Sequence, residues 1–155
     1  MAVAVEQNRR ALSITWDRPP LNVLDIALLR ELDQVLINCA ADSSVDVVLL
    51  QGAGDRAFSA GVDIKDHTSA KVPEMLDAMH GVIRKLLALP QATIALVRGV
   101  CLGGGCELAS SCDFIVAAEE STFATPEILV GCYPPVALAR FSQLIGYHRA
   151  GATGG

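Results

Sequence analysis

The chain has 155 residues, 52% of them hydrophobic and 19% charged, with a formal net charge of −5. That length and apolar content fit one domain with a buried core and exclude a disordered chain. The acidic balance argues against nucleic acid as the main partner, which would want a basic face, no run approaches the roughly 18 apolar residues of a membrane helix, and the start lacks the basic n-region of a signal peptide. The chain therefore reads as cytoplasmic, with neither nucleic acid nor membrane as a partner.

Two short strands open the chain, Val3 to Glu6 and Ala11 to Trp16. Asp17-Arg18-Pro19-Pro20 then breaks the ladder, because proline has no N–H to donate. From Asp25 to Ala41, Leu28, Leu32, Val35, Leu36 and Cys39 recur at helical spacing. Val45 to Leu50 is a valine-rich run that reads as a strand buried on both faces, as in a parallel sheet. Gly52 to Asp66 reads as a loop, and Glu74 to Leu89 as a helix between Pro73 and Pro90. Ala92 to Val97 is the next strand, and the run Gly103-Gly104-Gly105 opens a third helix through Cys112. Asp113 to Ala118 is apolar enough for a further buried strand, Thr122 to Ala124 is extended, and Val136 to Leu144 is helical after Pro134-Pro135. Strands alternating with helices give an α/β class with largely parallel pairing.

Five cysteines, Cys39, Cys101, Cys106, Cys112 and Cys132, form no Cys-x-x-Cys pair and read as reduced, mostly buried thiols. His67, His80 and His148 are scattered, so no metal site is expected.

Acid–base chemistry has better candidates. Glu107 lies just inside the helix opened by the glycine run, and Glu127 follows in Thr125-Pro126-Glu127. Glycines let backbone N–H groups approach a ligand, and a helix start adds free donors and partial positive charge, which favours an ionised Glu107. Close packing of that helix on a strand would use the same glycines. A second irregular turn, Phe58-Ser59-Ala60-Gly61-Val62-Asp63, precedes the run. Two donor turns with two carboxylates can stabilise an enolate and move a proton. A dinucleotide loop is the rival reading of Gly99 to Gly105, but it should follow the first strand, and no Tyr-x-x-x-Lys lies downstream. No Gly-x-Ser-x-Gly elbow is present either.

These residues resemble the enoyl-CoA hydratase/isomerase (crotonase) superfamily. The stretches that carry the likeness are Trp16 to Asn22, Ala57 to Lys65, Val97 to Leu108, Ser111-Cys112-Asp113 and Phe123 to Ile128, in family order. The resemblance implies a crotonase-like (ClpP/crotonase) spiral of ββα units over residues 1–150, and an acyl-CoA thioester as substrate. Coenzyme A is then part of the substrate, and no separate cofactor is implied. The thioester oxygen would be held by the N–H groups of Val62 and Gly104. Glu107 would activate water and Glu127 would supply the proton. Ala60, Gly61, Asp63 and Ile64 would wrap the adenine end, with Lys65 or Arg56 as candidates for the phosphates. Both glutamates together favour a hydratase over an isomerase.

Two departures bear on the substrate and the assembly. After the second glutamate the chain reads Gly131-Cys132-Tyr133-Pro134-Pro135-Val136 where family hydratases usually carry a glycine-rich stretch. The prolines stiffen the segment and Tyr133 adds an aromatic beside the acyl pocket. It is similar to the cyclohexa-1,5-diene-1-carbonyl-CoA hydratases of anaerobic aromatic degradation, with a generic short-chain hydratase as the alternative. The family also continues past this point with helices that complete the pocket and build a trimer or hexamer. The chain therefore reads as C-terminally truncated, with 151–155 a disordered or artificial tail, and an inactive acyl-CoA-binding fragment is the non-catalytic reading.

Overall fold

A computed structural model describes residues 2–127, 131 and 135–146. The elements are β1 (Val3–Asn8), β2 (Ala11–Trp16), α1 (Ile26–Ala40), β3 (Val47–Gly52), β4 (Ala57–Ser59), a 3-10 turn (Ile64–Asp66), α2 (Val72–Ala88), β5 (Ala92–Val97), β6 (Val100–Leu102), α3 (Gly104–Ser110), β7 (Phe114–Ala117), β8 (Thr122–Ala124) and α4 (Pro135–Ile145). From β3 onward the order repeats strand, strand, helix three times. In each repeat the first strand joins a five-stranded sheet, β1-β2-β3-β5-β7, and the second joins a three-stranded sheet, β4-β6-β8. All pairings except the antiparallel β1–β2 hairpin are parallel. This is the expected spiral of ββα units.

Local chemistry sets the boundaries. The Asp25 carboxylate caps α1 by accepting from Leu28 N at 2.8 Å. Pro73 sits in the first turn of α2, where its missing N–H costs nothing. Leu28, Leu29, Leu32 and Leu36 of α1 and Met79, Val82, Ile83 and Leu86 of α2 bury their faces with Ile14, Trp16, Val48, Leu50, Ala95 and Val97 of the large sheet.

Two strands depart from their expected burial. In β3 full burial falls on Val48 and Leu50, while Val47 and Leu49 are only half-buried, so one face meets the core and the other is thinly covered. All four residues of β7 are exposed, Phe114 by 61% and Val116 by 58%. The reason is position: β7 is the edge of the large sheet, and apolar composition alone does not bring a covering element. The segment 52–66 also contains β4 and the 3-10 turn, which are too short to show a periodicity.

The Pro19-Pro20-Leu21-Asn22 stretch becomes a buttress. Asn22, at φ 53, donates to Ala53 O at 3.0 Å and Ala57 O at 2.8 Å and accepts from Arg18 N at 3.0 Å. Asparagine tolerates that left-handed backbone better than most residues. Beyond it Ala60 N donates to Leu21 O at 2.9 Å, Leu24 N to Gly61 O at 2.8 Å and Asp63 N to Leu24 O at 3.0 Å. Trp16 braces the same segment from below, donating through Nε1 to Phe58 O at 2.9 Å and meeting the Phe58 ring edge-on at 4.9 Å. The irregular turn 60–63 is thus fixed from both sides.

Candidate active site

The two donor turns meet backbone to backbone. A Cβ on Gly61 would stand 3.0 Å from Leu102 O and 3.4 Å from Gly104 N. A Cβ on Gly104 would stand 2.8 Å from Val62 Cγ2 and 3.5 Å from Val62 N. Only glycine admits that approach. No hydrogen bond among the described residues uses the N–H of Val62 or of Gly104, the latter being the first residue of α3. Two free donors therefore sit on adjacent turns, at the place where the resemblance put a thioester oxygen. The packing reading of the glycine run holds as well: a Cβ on Gly105 would meet Ser59 O of β4 at 2.8 Å.

Glu107 is 5% exposed, and its Oε1 accepts from Val136 N at 2.8 Å and Ala137 N at 3.1 Å. These are the first donors of α4, since Pro135 has none. The carboxylate caps a helix other than its own. Arg140 of α4 adds a second tie, donating through Nη2 to Ser110 O of α3 at 3.0 Å. Burial pushes the Glu107 carboxyl up from its ordinary range, the two amides pull it back, and the charge of Glu127 pushes it up further. Helix α3 is only seven residues long, and the amide donors that reach this carboxylate come from the start of α4.

Glu127 is held differently. Gly103, at φ 51, has its Cα against this side chain, where a Cβ would lie 2.7 Å from Glu127 Oε1. Oε2 is buried and has no hydrogen-bond partner among the described residues. Burial pushes the Glu127 carboxyl up as well, and its own backbone N–H and the His67 ring pull it partway back. The two acids differ in what they lack. Glu107 carries two amide donors that favour a carboxylate, whereas the bare Oε2 of Glu127 favours a proton.

The structure thus brings Gly61, Val62, Gly104, Glu107 and Glu127 together. Ala60 is half-buried, and its N–H is spent on Leu21 O. Asp63 caps the 3-10 turn through Lys65 N at 3.0 Å and pairs with Arg18 at 3.4 Å. Ile64 is 73% exposed and Lys65 is exposed beside it, on the outer side of that turn. Tyr133 and the tail 151–155 lie outside the described residues. Sequence reasoning missed the amides of Val136 and Ala137 and the His67 ring. A histidine four positions after a donor turn carries no signal of such a role in the sequence. Among the described residues no group of three or more His, Cys, Asp or Glu side chains is placed to hold a metal.

Residues 6–152 match the enoyl-CoA hydratase/isomerase family, and the chain belongs to that family. It is 36% identical over 149 residues to the short-chain-enoyl-CoA hydratase of Clostridium acetobutylicum, covering 93% of this chain and 57% of that protein. It is 36% identical over 130 residues to the carnitinyl-CoA dehydratase of Escherichia coli, covering 83% of this chain and 50% of that one. The chain thus spans about half the length of these curated relatives. Among solved structures, Pseudomonas aeruginosa DspI superposes with a TM-score of 0.95 at 28% identity, over 99% of this chain and 64% of that one. An enoyl-CoA hydratase from Bacillus anthracis superposes with a TM-score of 0.94 at 31% identity, over 99% and 62%.

Proposed function

We propose that this site adds water across the α,β double bond of an acyl-CoA thioester. The observation that carries the reading is the meeting of two backbone donors unused among the described residues with two carboxylates, a buried one held by amides and a half-buried one whose Oε2 has no partner among those residues. In this reading the N–H groups of Val62 and Gly104 hold the thioester oxygen, where enolate charge develops. Removing one such donor typically raises a barrier by about 2.7–4 kcal/mol. Glu107, anchored through Oε1, has Oε2 for water. It takes a proton as the water oxygen bonds to Cβ, and the π electrons move to the thioester oxygen. Glu127 then gives its proton to Cα as the carbonyl re-forms, leaving a 3-hydroxyacyl thioester, a protonated Glu107 and an ionised Glu127. Proton exchange with water restores both acids. Coenzyme A enters as part of the substrate, with Ala60, Gly61, Asp63 and Ile64 flanking its adenine end and Lys65 near its phosphates, and no separate cofactor takes part.

For the acyl group we propose a cyclic dienoyl thioester, cyclohexa-1,5-diene-1-carbonyl-CoA, supported by the segment Gly131-Cys132-Tyr133-Pro134-Pro135 in place of a glycine-rich one. The second reading is a generic short-chain hydratase, favoured by the name of the Clostridium relative. The exposed Phe114, Ile115, Val116 and Phe123 support assembly into a homotrimer or hexamer, and the reaction is assigned to the cytoplasm. The test offers crotonyl-CoA and the cyclic dienoyl-CoA in parallel and follows loss of the conjugated thioester absorbance. Faster loss with the cyclic substrate supports the finer reading, and faster loss with crotonyl-CoA supports the generic one. No loss with either from soluble protein refutes hydration.

A further inference from the structure

Arg18 stands beside the donor turn 60–63, and no step above uses it. An isolated parallel bridge between Leu24 and Val62 ties that turn to the chain entering α1. Asp25 follows Leu24 and Asp63 follows Val62, so the bridge sets two carboxylates on neighbouring strands. Each spends Oδ1 on a cap: Asp25 accepts from Leu28 N at 2.8 Å and Asp63 from Lys65 N at 3.0 Å. Each gives Oδ2 to Arg18, 2.7 Å from Nη2 for Asp25 and 3.4 Å from Nη1 for Asp63. Nη1 also donates to Val23 O at 3.3 Å. The backbone of Arg18 is pinned in turn, its N–H donating to Asn22 Oδ1 at 3.0 Å and its carbonyl accepting from Asn22 N at 2.8 Å. A single exposed ion pair contributes little. Here one guanidinium serves two carboxylates and a carbonyl, and none of the three charged side chains is more than 35% exposed.

We propose that Arg18 is a positioning residue for the Val62 N–H, a clamp that keeps the two carboxylates from prising the Leu24–Val62 bridge apart. The proposal rests on the hydratase reading only in taking that N–H as a donor to a thioester oxygen. Like charges on adjacent strands repel, and the planar fork of a guanidinium offsets both at once, which the point charge of a lysine does not. The bridge is otherwise held by Leu24 N donating to Gly61 O at 2.8 Å and Asp63 N donating to Leu24 O at 3.0 Å. These two bonds bracket Val62, whose own N–H has no acceptor among the described residues and takes its direction from theirs. A donor aimed at developing charge works only while its direction is fixed. Loosening the bridge therefore weakens the transition state more than it weakens substrate binding. In this role Arg18 exchanges no proton and adds no chemical step.

The test compares the full chain with Arg18→Met, Arg18→Lys and the double variant Arg18→Met with Asp25→Asn. Asparagine caps a helix about as well as aspartate, so the double variant keeps α1 and removes one of the two repelling charges. Amide hydrogen exchange is read by NMR at Leu24 and Asp63. Difference infrared spectroscopy reads the carbonyl stretch of bound butyryl-CoA labelled with carbon-13 at the thioester carbon, a saturated ester with no double bond to hydrate. In Arg18→Met the two amides are expected to exchange about tenfold faster while those of α2 keep their protection. The carbonyl stretch should move back toward its value in free butyryl-CoA, and kcat for crotonyl-CoA should fall about tenfold with little change in KM. Arg18→Lys should lie between, and it carries the same comparison if the methionine variant does not fold. The double variant should recover part of each change. Unchanged exchange, an unchanged carbonyl stretch or no recovery in the double variant overturns the proposal. So does a native protein that leaves the carbonyl stretch at its free value. A stretch that moves in Arg18→Met, in a protein that hydrates no thioester, upholds the clamp and refutes the hydratase reading instead.

Discussion

Glu127→Gln is expected to make the fold more stable at alkaline pH while removing the proton donor. Its Oε2 is buried without a partner among the described residues, and leaving such an atom unpaired costs about 1–3 kcal/mol, more when the group is charged. Glutamine removes the charge and keeps the shape, so the gain should be about 1 kcal/mol, or ~2–4 °C in Tm for a chain of this size. The pH dependence gives the sharper test. Burial raises the folded-state carboxyl above its ordinary 4.5, so the folded protein holds this proton more tightly than the unfolded chain does. Below 4.5 both states are protonated, and the native protein and the variant should differ little. As pH rises through the folded-state value the native protein loses that stability and the variant does not. Urea unfolding at steps from pH 4 to pH 8 should therefore show a difference that opens with pH in favour of glutamine. A difference that is flat with pH, or that favours glutamate at pH 8, refutes the assignment of a destabilising buried acid. Glu107→Gln is the internal control. There the two amides of α4 already serve the carboxylate, so the gain at pH 8 should be smaller or reversed.

Gly103→Ala should destabilise by about 1–3 kcal/mol, because φ 51 is a left-handed backbone and the new Cβ meets Glu127 Oε1 at 2.7 Å. Pairing it with Glu127→Ala should recover part of the loss in a double-mutant cycle read by urea unfolding. Asn22→Ala should cost roughly 3 kcal/mol, since Ala53 O and Ala57 O lose their donor, and turnover should fall because the buttress of residues 60–63 loosens. Phe114→Lys with Val116→Lys should reduce self-association in gel filtration while leaving the unfolding midpoint nearly unchanged, because both side chains are already exposed on an edge strand.

The sequence is most informative where one residue type serves one local need. The helices at Ile26–Ala40 and Val72–Ala88 were legible from apolar spacing, with Asp25 and Pro73 at their starts and Pro90 after the second. The glycine run and the turn before Asp63 were legible because closely packed backbones leave no room for side chains. Strands of three residues, β4, β6 and β8, carry too few positions to show alternation, and only β8 was anticipated. The exposure of β7 was hidden for another reason: an apolar strand at a sheet edge and one at its centre have the same composition. The partners of Glu107 were hidden because backbone amides have no letter in the sequence. Val136 and Ala137 could serve any purpose, and only the arrival of a helix start at α3 gives them one.

That arrival links the two acids through the chain itself. Glu107 stands on α3, but its carboxylate is positioned by α4, which begins eight residues after Glu127. The proposed water activator is therefore complete only once the chain beyond the proposed proton donor has folded back onto α3. Arg140 to Ser110 O and the buried Ala137 make that docking a packing contact as well as a hydrogen-bonded one. The prolines before Val136 fit the same logic. A preset backbone at Pro135 lowers the entropy lost in presenting the two N–H groups, and a residue with no N–H leaves none unpaired before them. The stiffness attributed from sequence to an acyl pocket thus has a nearer use in this structure, holding α4 against Glu107. Changes in the segment between Glu127 and Val136 should accordingly act on the acid–base chemistry as well as on substrate choice.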